Sequence, residues 1–220
     1  MISAIIFDLD GTLVDSNDLH TDAWDETFRH FGKEFPRARL RHQIGKGGDQ
    51  YLPEFLTEAE LRSIGPEIDK FRGDLFKRKY IERVQPFPKV RELMERIRQD
   101  GKRIALASSG NESEIEQYVK LAEIGGLIET QTTKTDVSHS KPAPDIFLRA
   151  INLLHVSPSE AIVVGDTPYD IQAAKKLEVP TVALLCGGFA EDELRASGAV
   201  AIFKNPADLL VNYIRSPLPG

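Results

Sequence analysis

Five short runs, at 4–7, 103–107, 161–164, 181–185 and 200–203, are rich in apolar and β-branched residues, and several are almost wholly apolar. A half-exposed strand alternates apolar with polar residues, so continuous runs of this kind suit strands buried on both faces of a parallel sheet. Between them, 90–98, 112–121, 145–154, 169–177 and 191–196 read as amphipathic helices. Such β-α repetition predicts an α/β fold, doubly wound around a mainly parallel sheet. The pattern breaks between residues 17 and 85, where the helical spacings Leu19, Ala23, Phe28, Phe31 and Ile68, Phe71, Leu75 replace strand runs. We therefore expect an inserted helical cap, residues 16–85, and a core made of residues 1–15 and 86–220. Asp15-Ser16-Asn17-Asp18 supplies turn and capping side chains at its departure, and Pro86 and Pro88 mark its return. A chain of 220 residues suits one core domain with a smaller insertion. Residues 216–220 are expected to fray.

Charge narrows the function classes. With 34 acidic against 28 basic residues, the net charge of −6 argues against a general nucleic-acid surface. The stretch Ile2 to Phe7 is too short for a signal peptide, and no run approaches the about 18 apolar residues of a membrane span. The expectation is a soluble cytoplasmic protein with neither a nucleic-acid nor a membrane partner, its oligomeric state open and a monomer included. Cys186 is the single cysteine, which rules out an intramolecular disulfide; it reads as a small buried hydrophobe.

Chemistry enters at Asp8-Leu9-Asp10-Gly11-Thr12, directly behind the first apolar run. Two carboxylates one residue apart then project from the carboxyl end of a buried strand, where open α/β sheets bind their ligands. A hard cation such as Mg2+ selects oxygen ligands, so one carboxylate can attack while the other trades a proton. Gly11 permits a sharp turn, and Thr12 offers a hydroxyl and an amide to phosphate oxygens. The second run ends in Ser108-Ser109-Gly110-Asn111, whose hydroxyls and amides suit a phosphate as well as a helix cap. Lys141 opens a loop stiffened by Pro142 and Pro144. The third run leads into Gly165-Asp166-Thr167-Pro168-Tyr169-Asp170, again with acids at a strand's carboxyl end. Each signal alone has an ordinary explanation as a turn, a cap or a surface charge.

In this order, however, the four together resemble the haloacid dehalogenase superfamily over nearly the whole chain, in its branch with a helical cap that includes phosphoglycolate phosphatases and β-phosphoglucomutases. The resemblance implies a Rossmann-like core with Asp8 as the nucleophile that forms an aspartyl-phosphate and Asp10 as general acid and then base. It implies phosphate contacts from Ser108 and Lys141, the latter also touching the nucleophile. Mg2+ would be held by Asp8, by the backbone carbonyl of Asp10 and by Asp166, with Asp170 behind them. Ser140 departs from the glycine that commonly precedes this lysine, which leaves the local loop geometry open.

The cap is where such enzymes choose substrates. His20, early in its first helix, and Lys46, in the glycine loop Gly45-Lys46-Gly47-Gly48, are expected to reach the substrate, and the loop is expected to be flexible. Trp24 is expected to pack cap against core, and the charge runs at 37–41 and 77–79 to be solvated. Ser109 joins Ser108 and Thr12 as an expected phosphate contact. The expected activity is Mg2+-dependent hydrolysis of a small phosphorylated metabolite, a phosphate monoester. A β-phosphoglucomutase-like transfer, a phosphonatase using Lys46 and a non-catalytic relative are the alternatives.

Overall fold

The structure, a computed structural model, describes residues 1–219. Six parallel strands form its main sheet: β1 (Ala4–Phe7), β4 (Arg103–Ala107), β5 (Thr130–Thr132), β6 (Ala161–Gly165), β7 (Thr181–Leu184) and β8 (Ala201–Phe203). They lie in the order β5-β4-β1-β6-β7-β8, so the chain winds outward from β1 first to one edge and then to the other. A second, two-stranded antiparallel ladder joins β2 (Val14–Asp15) to β3 (Gln85–Pro86), with Val14 opposite Pro86 and Asp15 opposite Gln85.

Alternation along the strands divides the core into two unequal layers. Ile5, Phe7, Ile104, Leu106, Ile162 and Val164 face one way, onto α5 (Val90–Gln99), α6 (Glu112–Leu121) and α10 (Pro206–Val211). The opposite face is mostly alanine, Ala4, Ala105, Ala107 and Ala161 with Ile6 and Val163 between them, against α7 (Asp145–Leu154) and α8 (Pro168–Lys175). Small side chains let these helices approach the sheet closely, and Phe147 of α7 is the largest group in that layer. α9 (Glu191–Ser197) closes the edge beside α8 through Leu194, Tyr169 and Phe189.

Four helices occupy the insertion: α1 (Asn17–His30), α2 (Arg37–His42), α3 (Gly48–Tyr51) and α4 (Glu58–Lys79). They enclose their own apolar cluster around Trp24, Phe28, Tyr51, Phe55 and Ile68. α4 starts with a reciprocal cap, in which Thr57 accepts from the Glu60 N–H and Glu60 accepts from the Thr57 N–H. Trp24 was expected at the seam between cap and core. It stacks instead on Tyr51, centroids 4.3 Å apart, inside the insertion's own cluster, because the first helix turns that face toward α3.

Other differences from the sequence reading have plain causes. The edge strand Thr130-Gln131-Thr132 is short and polar, so it carries no hydrophobic signature, and α10 is only six residues long. Residues near the C-terminus do not fray: Leu218 is fully buried and the Lys102 ammonium donates to the Pro219 carbonyl at 2.8 Å. Gly220 lies outside the described residues. No helix among the described residues is long and apolar enough to cross a membrane. Because the α7 layer is lined by alanines that cannot move in to fill a void, Phe147→Ala should lower unfolding free energy by about 3–5 kcal/mol. Urea denaturation followed by circular dichroism measures it, and a loss under about 1 kcal/mol would contradict this packing.

Candidate active site

The strand order reverses between β1 and β6: α5, which leads from the insertion into β4, lies on one face of the sheet, and α8, after β6, lies on the other. A crevice opens at that point, beyond the carboxyl ends of both strands. The Asp8 N–H extends the β1–β6 ladder by one bond, to the Val164 carbonyl at 2.9 Å, and so fixes the first residue of the motif. Gly11 then turns the chain with φ of +76°. A Cβ there would stand 2.1 Å from Asn17 Nδ2 and 2.3 Å from Asp166 Oδ2, so only glycine allows the two strand ends to meet.

Three carboxyl groups converge behind this turn. Asp8, Asp166 and Asp170 are buried, and one oxygen from each lies within 4.8 Å of the others. Lys141, only 1% exposed, donates to Asp8 Oδ1 at 2.5 Å and to Asp170 Oδ1 at 2.8 Å. The other Asp170 oxygen accepts from the Thr167 hydroxyl and N–H, 2.6 and 3.0 Å, in the capping box of α8. Asp170 therefore caps a helix and orients the lysine at once. Asp166 accepts from Thr12 Oγ1 at 2.9 Å and from Asn17 Nδ2 at 2.8 Å.

Asp10 is set apart from the three. Its Oδ1 accepts from the Ser16 hydroxyl at 2.5 Å and lies 2.8 Å from His20 Nε2. The two motif acids consequently sit in different fields. Burial, reinforced by Asp170 and Asp10 against the pull of Lys141, pushes Asp8 up to about 7. Burial, with Asp8 and Asp170 adding to it, also holds Asp166 well above the ordinary carboxyl range. For Asp10, burial is outweighed by His20, Ser16 and Lys141, which hold it below that range. Lys141 is pushed up because its two acid partners outweigh its own burial.

Ser108 is buried, and its Oγ accepts from the Gly110 N–H at 3.0 Å. The buried Ser109 hydroxyl has no hydrogen-bond partner among the described residues, and Ser109 lines a cavity of about 50 Å³ with Asp8, Asp10, His20, Lys141 and Arg72. Thr12 differs from the expectation. Its hydroxyl is directed to Asp166 and Asp8 and its N–H to the Leu9 carbonyl, because the tight turn after β1 points both inward. It tethers acids rather than facing the cavity. Lys46 lines the cavity, yet its ammonium is already engaged by Gln43 Oε1 at 2.6 Å and Glu54 Oε1 at 2.7 Å, 4.7 Å over the Tyr169 ring. Cys186 is half-buried, and its thiol donates to the Gly11 carbonyl at 3.3 Å.

The glycine loop also differs from its expected role. A Cβ on Gly45 would meet Thr167 at 2.6 Å, and one on Gly47 would meet Ser140 Oγ at 2.6 Å. Ser140 accepts from the Gly47 N–H at 2.9 Å and donates to Asp49 Oδ1 at 2.5 Å, so it fastens the insertion to the lysine loop. These glycines permit close approach. Asn17 and Arg72 were missed as site residues. Asn17 could have been noticed as a neutral side chain four residues after the turn; Arg72 sits in an ordinary amphipathic helix without a local signal.

The family model for haloacid dehalogenase-like hydrolases matches residues 5–184, which span both acid motifs, the serines and Lys141. The chain belongs to this family. Among curated relatives, it is 29% identical over 184 residues to the pyrophosphatase PpaX of Bacillus velezensis, covering 83% of each chain. It is 25% identical over 210 residues to a phosphorylated carbohydrates phosphatase of Thermotoga maritima, covering 95% of this chain and 97% of the relative. A hydrolase from Pseudomonas syringae superposes with a TM-score of 0.90 at 27% identity, covering 98% and 99% of the two chains.

The crowded acids of this haloacid dehalogenase-like hydrolase have a thermodynamic consequence. Asp8 and Asp166 hold protons in the folded chain at pH values where the unfolded chain has released them. Folding stability of the chelator-treated protein should therefore fall as pH rises from about 4 through 7. Asp8→Asn should raise the denaturation midpoint at pH 8 and change it little at pH 4. Urea titrations of both proteins at the two pH values give the comparison, and an equal shift at both would refute it.

Proposed function

We propose that this phosphatase hydrolyses a small phosphate monoester with Mg2+, through an aspartyl-phosphate on Asp8, beneath a cap formed by residues 16–85. The observation that carries the reading is the division of labour between the two motif acids. Asp8 lies among the clustered acids against Lys141, while Asp10 faces the cavity from a separate hydrogen-bonded pocket. Relatives named as phosphatases support hydrolysis over transfer to a second hydroxyl.

The residues present fit a hard divalent ion. Asp8 and Asp166 are buried carboxyls whose mutual repulsion Lys141 alone does not neutralise, and oxygen is the ligand such ions prefer. Asp8, Asp166 and the Asp10 backbone carbonyl would hold it, with Asp170 behind them through Lys141. When bound, Mg2+ supplies the positive charge that lets an anionic nucleophile meet an anionic phosphate. Lys141, the Ser108 hydroxyl and the Ser109 hydroxyl then hold the phosphoryl oxygens. An Asp8 oxygen attacks phosphorus and the ester P–O bond breaks, the leaving oxygen taking its proton from Asp10 in the fraction of molecules that enter the step with Asp10 protonated, a form that His20 and Ser16 disfavour. In the second step Asp10 takes a proton from water as that water attacks phosphorus and the Asp8 carboxylate leaves. Ser16 and His20 orient Asp10 for both transfers.

Asp8→Asn should lower turnover by on the order of a thousandfold or more, since an amide is a poor nucleophile. Acid quenching should trap phosphate on wild-type Asp8 and none on the variant; turnover retained with no trapped label would overturn covalent catalysis. Asp166→Ala should raise the Mg2+ concentration for half-maximal activity on the order of tenfold.

His20 makes a separate test. Water attack needs Asp10 ionised, and His20 is a principal cause of its lowered proton affinity. In His20→Ala the acidic limb of the kcat–pH profile should move to higher pH, so activity falls more at pH 5.5 than at pH 8. A uniform loss at both would reduce His20 to a packing role.

A further inference from the structure

The inner cavity, about 50 Å³, is lined by Asp8, Asp10, Ser109 and Lys141, so a phosphate bound there leaves the alcohol part of a substrate to lie beside these groups. A wider groove of about 480 Å³ lies between α4 and the start of α6, lined by Asp69, Gly73, Asn111 and Lys134. One side chain belongs to both spaces: Glu114. It is 3% exposed and comes from the core, three residues after Asn111, so the family motifs do not include it.

Only half of this carboxyl group is used. Oε1 accepts from Asn111 Nδ2 at 3.2 Å, and Oε2 accepts no hydrogen bond among the described residues. The free oxygen is close to the phosphate end of the cavity, because a Cβ added to Gly110 would stand 3.4 Å from it and 3.1 Å from Ser108 Oγ. Across the cavity Arg72 lies over Trp24 at 5.1 Å, near His20 Nδ1, and forms no ion pair with any described carboxyl; its Nε is buried without a partner. The hydroxyl of Tyr118, one turn beyond Glu114 on α6, is likewise buried and unpartnered among the described residues, though it lines neither space. An acceptor without a hydrogen bond, Glu114 Oε2, and a buried donor without one among the described residues, Arg72 Nε, thus belong to side chains that line the same cavity. In the nearby groove Lys134 pairs with Asp69 at 3.6 Å and Lys70 with Asp74 at 2.6 Å, while Lys77 forms no ion pair among the described residues.

We propose that Glu114 and Arg72 select a neutral, hydroxylated leaving group, a polyol or sugar phosphate, with Glu114 accepting from a hydroxyl and Arg72 donating to one. The inference rests on the phosphatase reading above and adds a substrate class to it. A buried carboxyl that loses water must gain a donor, and a hydroxyl supplies one. A second phosphate or a carboxylate brings like charge to the same oxygen and is rejected. Arg72 alone would favour such an anion; Glu114 is what reverses the preference.

The test compares kcat/KM for glycerol 3-phosphate and phosphoglycolate, with Mg2+, in wild type, Glu114→Gln and Glu114→Ala. The ratio of the two values divides out any loss common to both substrates. Wild type should favour glycerol 3-phosphate, and that preference should fall at least tenfold in Glu114→Gln, with Glu114→Ala moving in the same direction. An unchanged ratio, or a wild-type preference for phosphoglycolate, overturns the assignment of Glu114. Hydrolysis of p-nitrophenyl phosphate by wild type reports the core chemistry alone. Its absence would overturn the phosphatase reading and this one with it, whereas its presence beside an unchanged ratio removes only the Glu114 inference.

Discussion

A single buried ammonium holds the catalytic end of this molecule together. Lys141 touches Asp8 and Asp170 while Asp166 stands close by, so one cation faces three acids. Two like charges 4 Å apart repel by about 4 kcal/mol at an effective dielectric of 20, and removing one partner of a buried pair typically costs about 3–5 kcal/mol. The cluster exists only because the lysine is fixed. Pro142 and Pro144 limit the backbone around it, Asp170 fixes its head, and Asp170 is itself fixed by capping α8. The leftover repulsion, visible in the raised proton affinities of Asp8 and Asp166, is the property that invites a divalent ion.

The seam between insertion and core extends that fixation. Ser140, the residue before Lys141, is bonded to both Gly47 and Asp49. Tyr169, beside Asp170 on α8, donates to the His42 carbonyl at 2.8 Å and lies under Lys46. Displacement of the insertion must therefore disturb contacts within one residue of the lysine and of the acid that orients it. Side chains larger than hydrogen at Gly45 and Gly47 would wedge the seam apart. Closeness here has a chemical purpose, since excluding water strengthens every charge interaction in the cavity.

Much of this was legible in the sequence for a definite reason. Strands buried on both faces must be apolar throughout, so β1, β4, β6 and β7 announced themselves, and the acids that end β1 and β6 inherited their positions from those strands. Polar Thr130-Gln131-Thr132 followed no such rule, since a short edge strand gains its place from pairing with β4 rather than from burial. Site residues supplied by tertiary approach were hidden for the same reason. Glu114 and Arg72 occupy unremarkable places in amphipathic helices, and only the meeting of α4 with α6 brings them to one cavity. Lys46 was legible in part: it does line the cavity, while the partners of its ammonium, Glu54, Gln43 and an aromatic face, come from the fold.

The small ladder of β2 and β3 gives the insertion a property unlike that of an ordinary long loop. Asp15 lies opposite Gln85 and Phe87 donates to the Leu13 carbonyl at 2.9 Å, so the outgoing and returning chains run side by side as bonded neighbours. To the sheet, everything between them is equivalent to a hairpin turn. Helices can be lengthened or reshaped beyond that junction wherever they do not carry Asn17, His20 or the contacts of Gly47 and Asp49 to Ser140. Much of the insertion's content is thereby free to change while the strands that it interrupts keep Asp8 and Asp166 in place.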